Sequence, residues 1–113
     1  MDRIPDFTDS ELWVIRTTLK ERYGKDPELE IADAEIRLSP AARSLTECPV
    51  VLWSERGSNL VVFKSGEREF RAQFYYRGYQ QYGTGRSNYS DLTECVTTLL
   101  QVQADHERQE NTD

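Results

Sequence analysis

The apolar positions of this chain change period several times, and each change marks an element. Leu12, Ile15, Leu19 and Tyr23 recur at helical spacing, with Trp13 and Val14 widening the stripe, so the first pattern predicts an amphipathic helix. The residues ahead of it, Phe7-Thr8-Asp9-Ser10-Glu11-Leu12, form a helix start. Thr8 as N-cap and Glu11 at the third helical position make a capping box, and Phe7 with Leu12 can close a hydrophobic staple. Gly24 ends the helix as its C-cap residue, and Lys20 and Arg22 suit the negative end of its dipole. The expected helix covers residues 9–23.

The stretch 49–76 organises the rest. Val50 to Trp53 is apolar and rich in β-branched residues, as a buried strand is. Glu55-Arg-Gly57-Ser-Asn59 breaks the run, and Gly57 supplies the positive φ of a tight hairpin turn. Leu60 to Phe63 returns, Ser65-Gly66 turns again, and Phe70, Ala72 and Phe74 then alternate with polar neighbours. A period of two puts those three on one face, so the stretch predicts a three-stranded antiparallel meander with one face to be covered.

Between helix and meander, residues 28–38 alternate with a slip of phase. Leu29 and Ile31 are odd, whereas Ala34, Ile36 and Leu38 are even. A β-bulge near Ala32-Asp33 would return all of them to one face and would gather Glu28, Glu30, Asp33 and Glu35 on the other. Residues 39–48 read as a connection, with Pro40 ending the strand. After Tyr76, residues 77–89 hold three glycines, two arginines and three tyrosines and read as a long loop. Ser90 is the expected N-cap of a last helix, whose apolar face is Leu92, Cys95, Val96, Leu99 and Val102. Residues 105–113 are polar all round and expected to fray.

The order is α-β-β-β-β-α, an α+β class with a four-stranded, mainly antiparallel sheet and two helices packed on one of its faces. The length of 113 residues fits a single domain over 1–113, ordered over about 5–104. A run of about 18 apolar residues, as a membrane span needs, does not occur. Residues 1–6 lack the basic start and apolar core of a signal peptide, so the expectation is a cytoplasmic protein without a membrane partner. Cys48 and Cys95 form no CxxC pair and read as two reduced, half-buried thiols.

Net charge is −6 and uneven: eleven acidic against seven basic side chains in 1–47, three against six in 48–90, and six against one in 91–113. An acidic surface argues against nucleic acid, which is held by basic groups that displace its counterions. Double-stranded RNA-binding domains have a related element order. The acidity, the last helix with one arginine and no lysine, and the additional strand all depart from them.

Two stretches carry candidate chemistry. Asp26, Glu28, Glu30, Asp33 and Glu35 supply the hard oxygens that Ca²⁺ takes in a shell of six to eight, although no EF-hand loop is present. A solvated edge-strand face would use the same residues. In the 77–89 loop, Arg77, Tyr79, Tyr82, Gly83, Gly85, Arg86 and Tyr89 combine the flexibility of a ligand loop with residue types that anchor interfaces. That loop lacks the lysine and following Ser/Thr of a P-loop. His106, the single histidine, reads as a surface residue.

The expectation is therefore a small acidic, non-enzymatic binding or regulatory protein, with calcium held by surface carboxylates as the best chemical match. The alternative is a protein-interaction module or chaperone that meets a basic protein partner through the 77–89 loop or an acidic face. A third reading is an enzyme with its site around residues 82–87.

Overall fold

The computed structural model describes residues 4–37, 41–55, 57–76, 81–84 and 88–110. Helix α1 spans Asp9–Tyr23, as the pattern predicts, and both halves of the capping box form. The Glu11 N–H donates to Thr8 Oγ1 at 3.1 Å and the Thr8 N–H donates to Glu11 Oε1 at 2.8 Å. Gly24 takes φ 72° at the other end, its N–H donating to the Lys20 carbonyl. Thr8→Ala removes the side-chain acceptor and is expected to cost about 1 kcal/mol. An unchanged urea midpoint would mean that the helix is held by something other than its cap.

Five strands follow in chain order: β1 (Glu30–Ile36), β2 (Thr46–Glu55), β3 (Ser58–Gly66), β4 (Glu69–Tyr75) and β5 (Gln81–Gly83). They pair antiparallel in the spatial order β1-β2-β3-β4-β5, and helix α2 (Leu92–Glu110) closes the chain. The class and the two-helix, one-face arrangement are those the pattern implies, with one more strand than expected. Sheet residues Val51, Trp53, Leu60, Val62, Ala72 and Phe74 form one core with Ile15 and Leu19 of α1 and Cys95, Val96 and Leu99 of α2.

The bulge expected in the first strand is absent. β1 pairs with β2 in an unbroken register from Glu30↔Leu52 to Ile36↔Thr46. Antiparallel partners share a face, so Ile31, Asp33 and Glu35 lie on the side of Val51, the helix side. Glu30, Ala32, Ala34 and Ile36 lie on the other. The four expected carboxylates therefore do not share a face. The physical reason is that β1 is an edge strand: Leu29 reaches the core, but Ile31, one pleat further, is 54 % exposed. The apparent slip of phase is the point where the covering layer ends.

β2 also begins earlier than the pattern suggests, running through Cys48 and Pro49. The Ile4 N–H donates to the Glu47 carbonyl at 3.2 Å. Residues 47 and 49 aim their backbone groups to the same side. There β3 has left the ladder, its pairing with β2 ending at Val50↔Phe63. A proline costs no ladder bond at such a position.

Lys64 shows why that end is well tied. Its side chain is 3 % exposed and its Nζ donates to Glu11 Oε1 at 2.8 Å and to the Asp6 carbonyl at 3.1 Å. At the far edge, Tyr89 exchanges two 2.8 Å backbone hydrogen bonds with Phe70. It is buried, as is Phe7, whose ring stacks on that of Phe70.

Helix α2 is capped one residue later than expected. The Asp91 carboxylate, not Ser90, accepts the Glu94 N–H at 3.2 Å. The helix also continues to Glu110, where the sequence predicts fraying from 105. Within that last stretch the His106 ring lies 4.3 Å from that of Tyr82 and 5.3 Å from that of Tyr76.

Candidate functional site

The α1–β1 connection and the β2–β3 hairpin meet at one end of the sheet. Gly24 turns the chain out of α1, and Lys25 to Leu29 run beside the hairpin into β1. The hairpin is itself well fixed. Its register pairs Glu55 with Ser58, which leaves two residues for the turn, and Gly57 takes the φ of 82° that such a turn requires. Ser58 Oγ donates to the Glu55 carbonyl at 2.8 Å and Ser54 Oγ donates to Asn59 Oδ1 at 2.7 Å.

Between these segments lies a cleft of about 560 Å³, within the size range of small-ligand sites. The cleft wraps round the end of the sheet: Tyr23 and the buried Trp53 line it on the helix side, Glu30 and Tyr75 on the opposite face, and Asp26, Glu28, Glu55 and Lys25 complete the lining. Trp53 Nε1 donates to Tyr23 Oη at 3.2 Å. Burial raises the Tyr23 phenol above its ordinary value, with the hydrogen bond from Trp53 pulling the other way. The phenol therefore stays neutral and its ring is held in place by the indole. Lys25 Nζ stands 3.6 Å from Glu55 Oε2, and Lys20 Nζ stands 3.4 Å from Asp26 Oδ1. Among the described residues, Glu28 and Glu30 have no ion-pair partner.

A second cavity of about 350 Å³ adjoins the first, lined by Arg22, Gln103, Ala104 and Glu107 and sharing Tyr23, Lys25 and Glu55 with it. The Lys25–Glu55 pair thus stands in the wall common to both.

The five carboxylates that the sequence suggests as calcium ligands divide. Asp26, Glu28 and Glu30 line the cleft, while Asp33 and Glu35 project from the helix side of β1. Among the described residues, no group of three or more His, Cys, Asp or Glu side chains converges as a metal cage would. Of the loop residues, Arg77, Tyr79, Gly85 and Arg86 lie outside the described residues. Tyr82 and Gly83 belong to β5. Tyr82 stacks on Phe74 at 5.3 Å, and Tyr89 is 1 % exposed in the core. Both cysteines are buried thiols, in no disulfide. Burial pushes the Cys48 thiol up despite the opposing charge of Arg71, which keeps it in its unreactive form.

Glu55, Tyr23 and Tyr75 carry no local signal of a site. Glu55 reads as part of a turn, Tyr23 as a helix-face residue and Tyr75 as a strand end, and only the meeting of hairpin and connection brings them together. No protein-family model, curated protein or solved structure matches the chain. No helix among the described residues is long and apolar enough to cross a membrane.

Proposed function

We propose that this chain is a non-enzymatic binding module that recognises a basic group on a protein partner at the cleft between the α1–β1 connection and the β2–β3 hairpin. One observation carries the reading: four carboxylates and the half-buried rings of Tyr23 and Tyr75 line one cleft, opposed by Lys25 in its lining and by Lys20 on Asp26. Carboxylates attract a cation at range, and aromatic faces add cation–π attraction once it is partly desolvated. Tyr also makes contact area at little cost in conformational entropy. The acidic balance of the whole chain, −6, favours encounter with a basic partner.

Titration of the ¹⁵N-labelled protein with an acetyl-Gly-Arg-Gly-amide peptide tests this. Saturable amide shifts are expected at residues 23–30, 52–55 and 75, weakening with added salt, with a Kd on the order of 1 mM for so small a ligand. Shifts confined to other surfaces, or none, would overturn the reading.

Calcium is the second reading: Asp26, Glu28 and Glu30 all line the same cleft, although among the described residues no three of them converge as a cage. A native-state ligand stabilises by RT ln(1 + [L]/Kd), about 2.7 kcal/mol at a hundredfold excess over Kd. If calcium is the ligand, millimolar CaCl₂ raises the melting temperature beyond NaCl of equal ionic strength, and Glu28→Gln with Glu30→Gln removes the difference. Equal shifts from the two salts would mean simple screening of an acidic protein.

A further inference from the structure

We infer that Lys25 is a built-in competitor for the cation this cleft receives, and that an incoming arginine guanidinium displaces it from Glu55. The inference rests on the proposed cleft and names the ligand group and its regulation. The two members of the pair differ in how firmly they are held. Glu55 is only 21 % exposed and ends a strand whose hairpin is pinned by Gly57 and two side-chain hydrogen bonds. Lys25 is 65 % exposed and directly follows the positive-φ Gly24. Its Nζ lies 3.6 Å from Glu55 Oε2, beyond good hydrogen-bond distance. The arrangement is a fixed carboxylate with a loosely held ammonium in front of it.

An exposed pair of that kind contributes little, because solvent screens it and a long side chain must be ordered to form it. A guanidinium can bind a carboxylate through two parallel N–H donors and can stack on an aromatic face, which an ammonium cannot match. Tyr23 lines both cavities beside the pair and offers such a face. Displacement leaves the Lys25 side chain free to swing into solvent. Lys25 and Glu55 line both cavities, so the guanidinium meets Glu55 where the two adjoin.

The test is a comparison of affinities for acetyl-Gly-Arg-Gly-amide by amide shifts. Lys25→Ala is expected to tighten binding roughly three- to fivefold, the equivalent of releasing one exposed ion pair. Glu55→Gln is expected to weaken it about tenfold, through loss of a charge-assisted bidentate contact. In the Glu55→Gln background, Lys25→Ala should no longer tighten binding, which separates displacement from a general change in charge. Arg43→Ala controls for net charge. It is exposed on the β1–β2 connection, at the opposite end of those strands from Glu55, and should leave affinity unchanged.

Saturable binding at the cleft that Lys25→Ala leaves unchanged or weakens would overturn the displacement and leave the cleft standing. Equal tightening by Arg43→Ala would also overturn displacement. No binding by either the wild type or Lys25→Ala would overturn both proposals. The lysine analogue acetyl-Gly-Lys-Gly-amide is expected to bind more weakly than the arginine peptide. Equal or tighter binding of the analogue or of spermidine would overturn the choice of guanidinium.

Discussion

Glu11→Ala is expected to cost about 3–5 kcal/mol of stability, several times the effect of an ordinary first-turn glutamate. The carboxylate has two roles. It accepts the Thr8 N–H as the return bond of the capping box, and it is the counter-charge of Lys64, whose ammonium is almost wholly removed from water. Loss of the first role alone is worth about 1 kcal/mol. Loss of the second leaves a buried ammonium with the Asp6 carbonyl, and an uncompensated buried charge is the expensive case. Lys64→Met removes that charge while keeping an apolar stem, so it should cost less than Glu11→Ala. In the Lys64→Met background, Glu11→Ala should cost only its cap. Urea midpoints at constant m-value measure all four corners of the cycle. A Glu11→Ala cost near 1 kcal/mol in the wild type would show that the pair contributes nothing beyond the cap.

Phe74→Ala is expected to cost about 3–5 kcal/mol as a large-to-small change in a packed core, and to loosen two elements at once. Phe74 is 1 % exposed. Its ring stacks on Tyr82 of β5 at 5.3 Å, meets His106 of α2 at 5.6 Å and contacts Tyr76 edge-on at 6.1 Å. β5 is three residues long, pairs with β4, and is packed through Tyr82, which meets Phe74, Tyr76 and His106. Hydrogen exchange should therefore speed up at Tyr82 and in the last two turns of α2 while the centres of β2 and β3 stay protected. Uniform acceleration across the sheet would mean that Phe74 supports the core as a whole and not this corner.

The limits of α1 were legible from sequence because every signal that sets them is local. The Thr8–Glu11 box spans three residues and Gly24 acts on its own turn. The meander was legible for a similar reason: Gly57 and the alternation of Phe70, Ala72 and Phe74 act within a few residues. What failed was whatever depended on a distant neighbour. The phase of β1 follows from how far the helix layer reaches, which no residue of β1 encodes. Pro49 stays in a strand because Ile4 meets Glu47 and β3 turns away. His106 looks like a surface residue until Tyr76, 30 positions earlier, stacks on it and Tyr82, 24 positions earlier, meets it at 4.3 Å.

The candidate site divides along the same line. Asp26, Glu28 and Glu30 were legible as an acidic run, since charge is visible in composition. Their separation from Asp33 and Glu35 was not, because it follows from the pleat and from the register with β2. Nor was the addition of Glu55, Tyr23 and Tyr75, which come from three other elements. The sequence by itself determined the local elements and the sign of the charge. Only the tertiary structure decided which carboxylates meet aromatic walls, because a cleft is a relation between segments about 30 to 50 residues apart, and short-range physical chemistry carries no record of it.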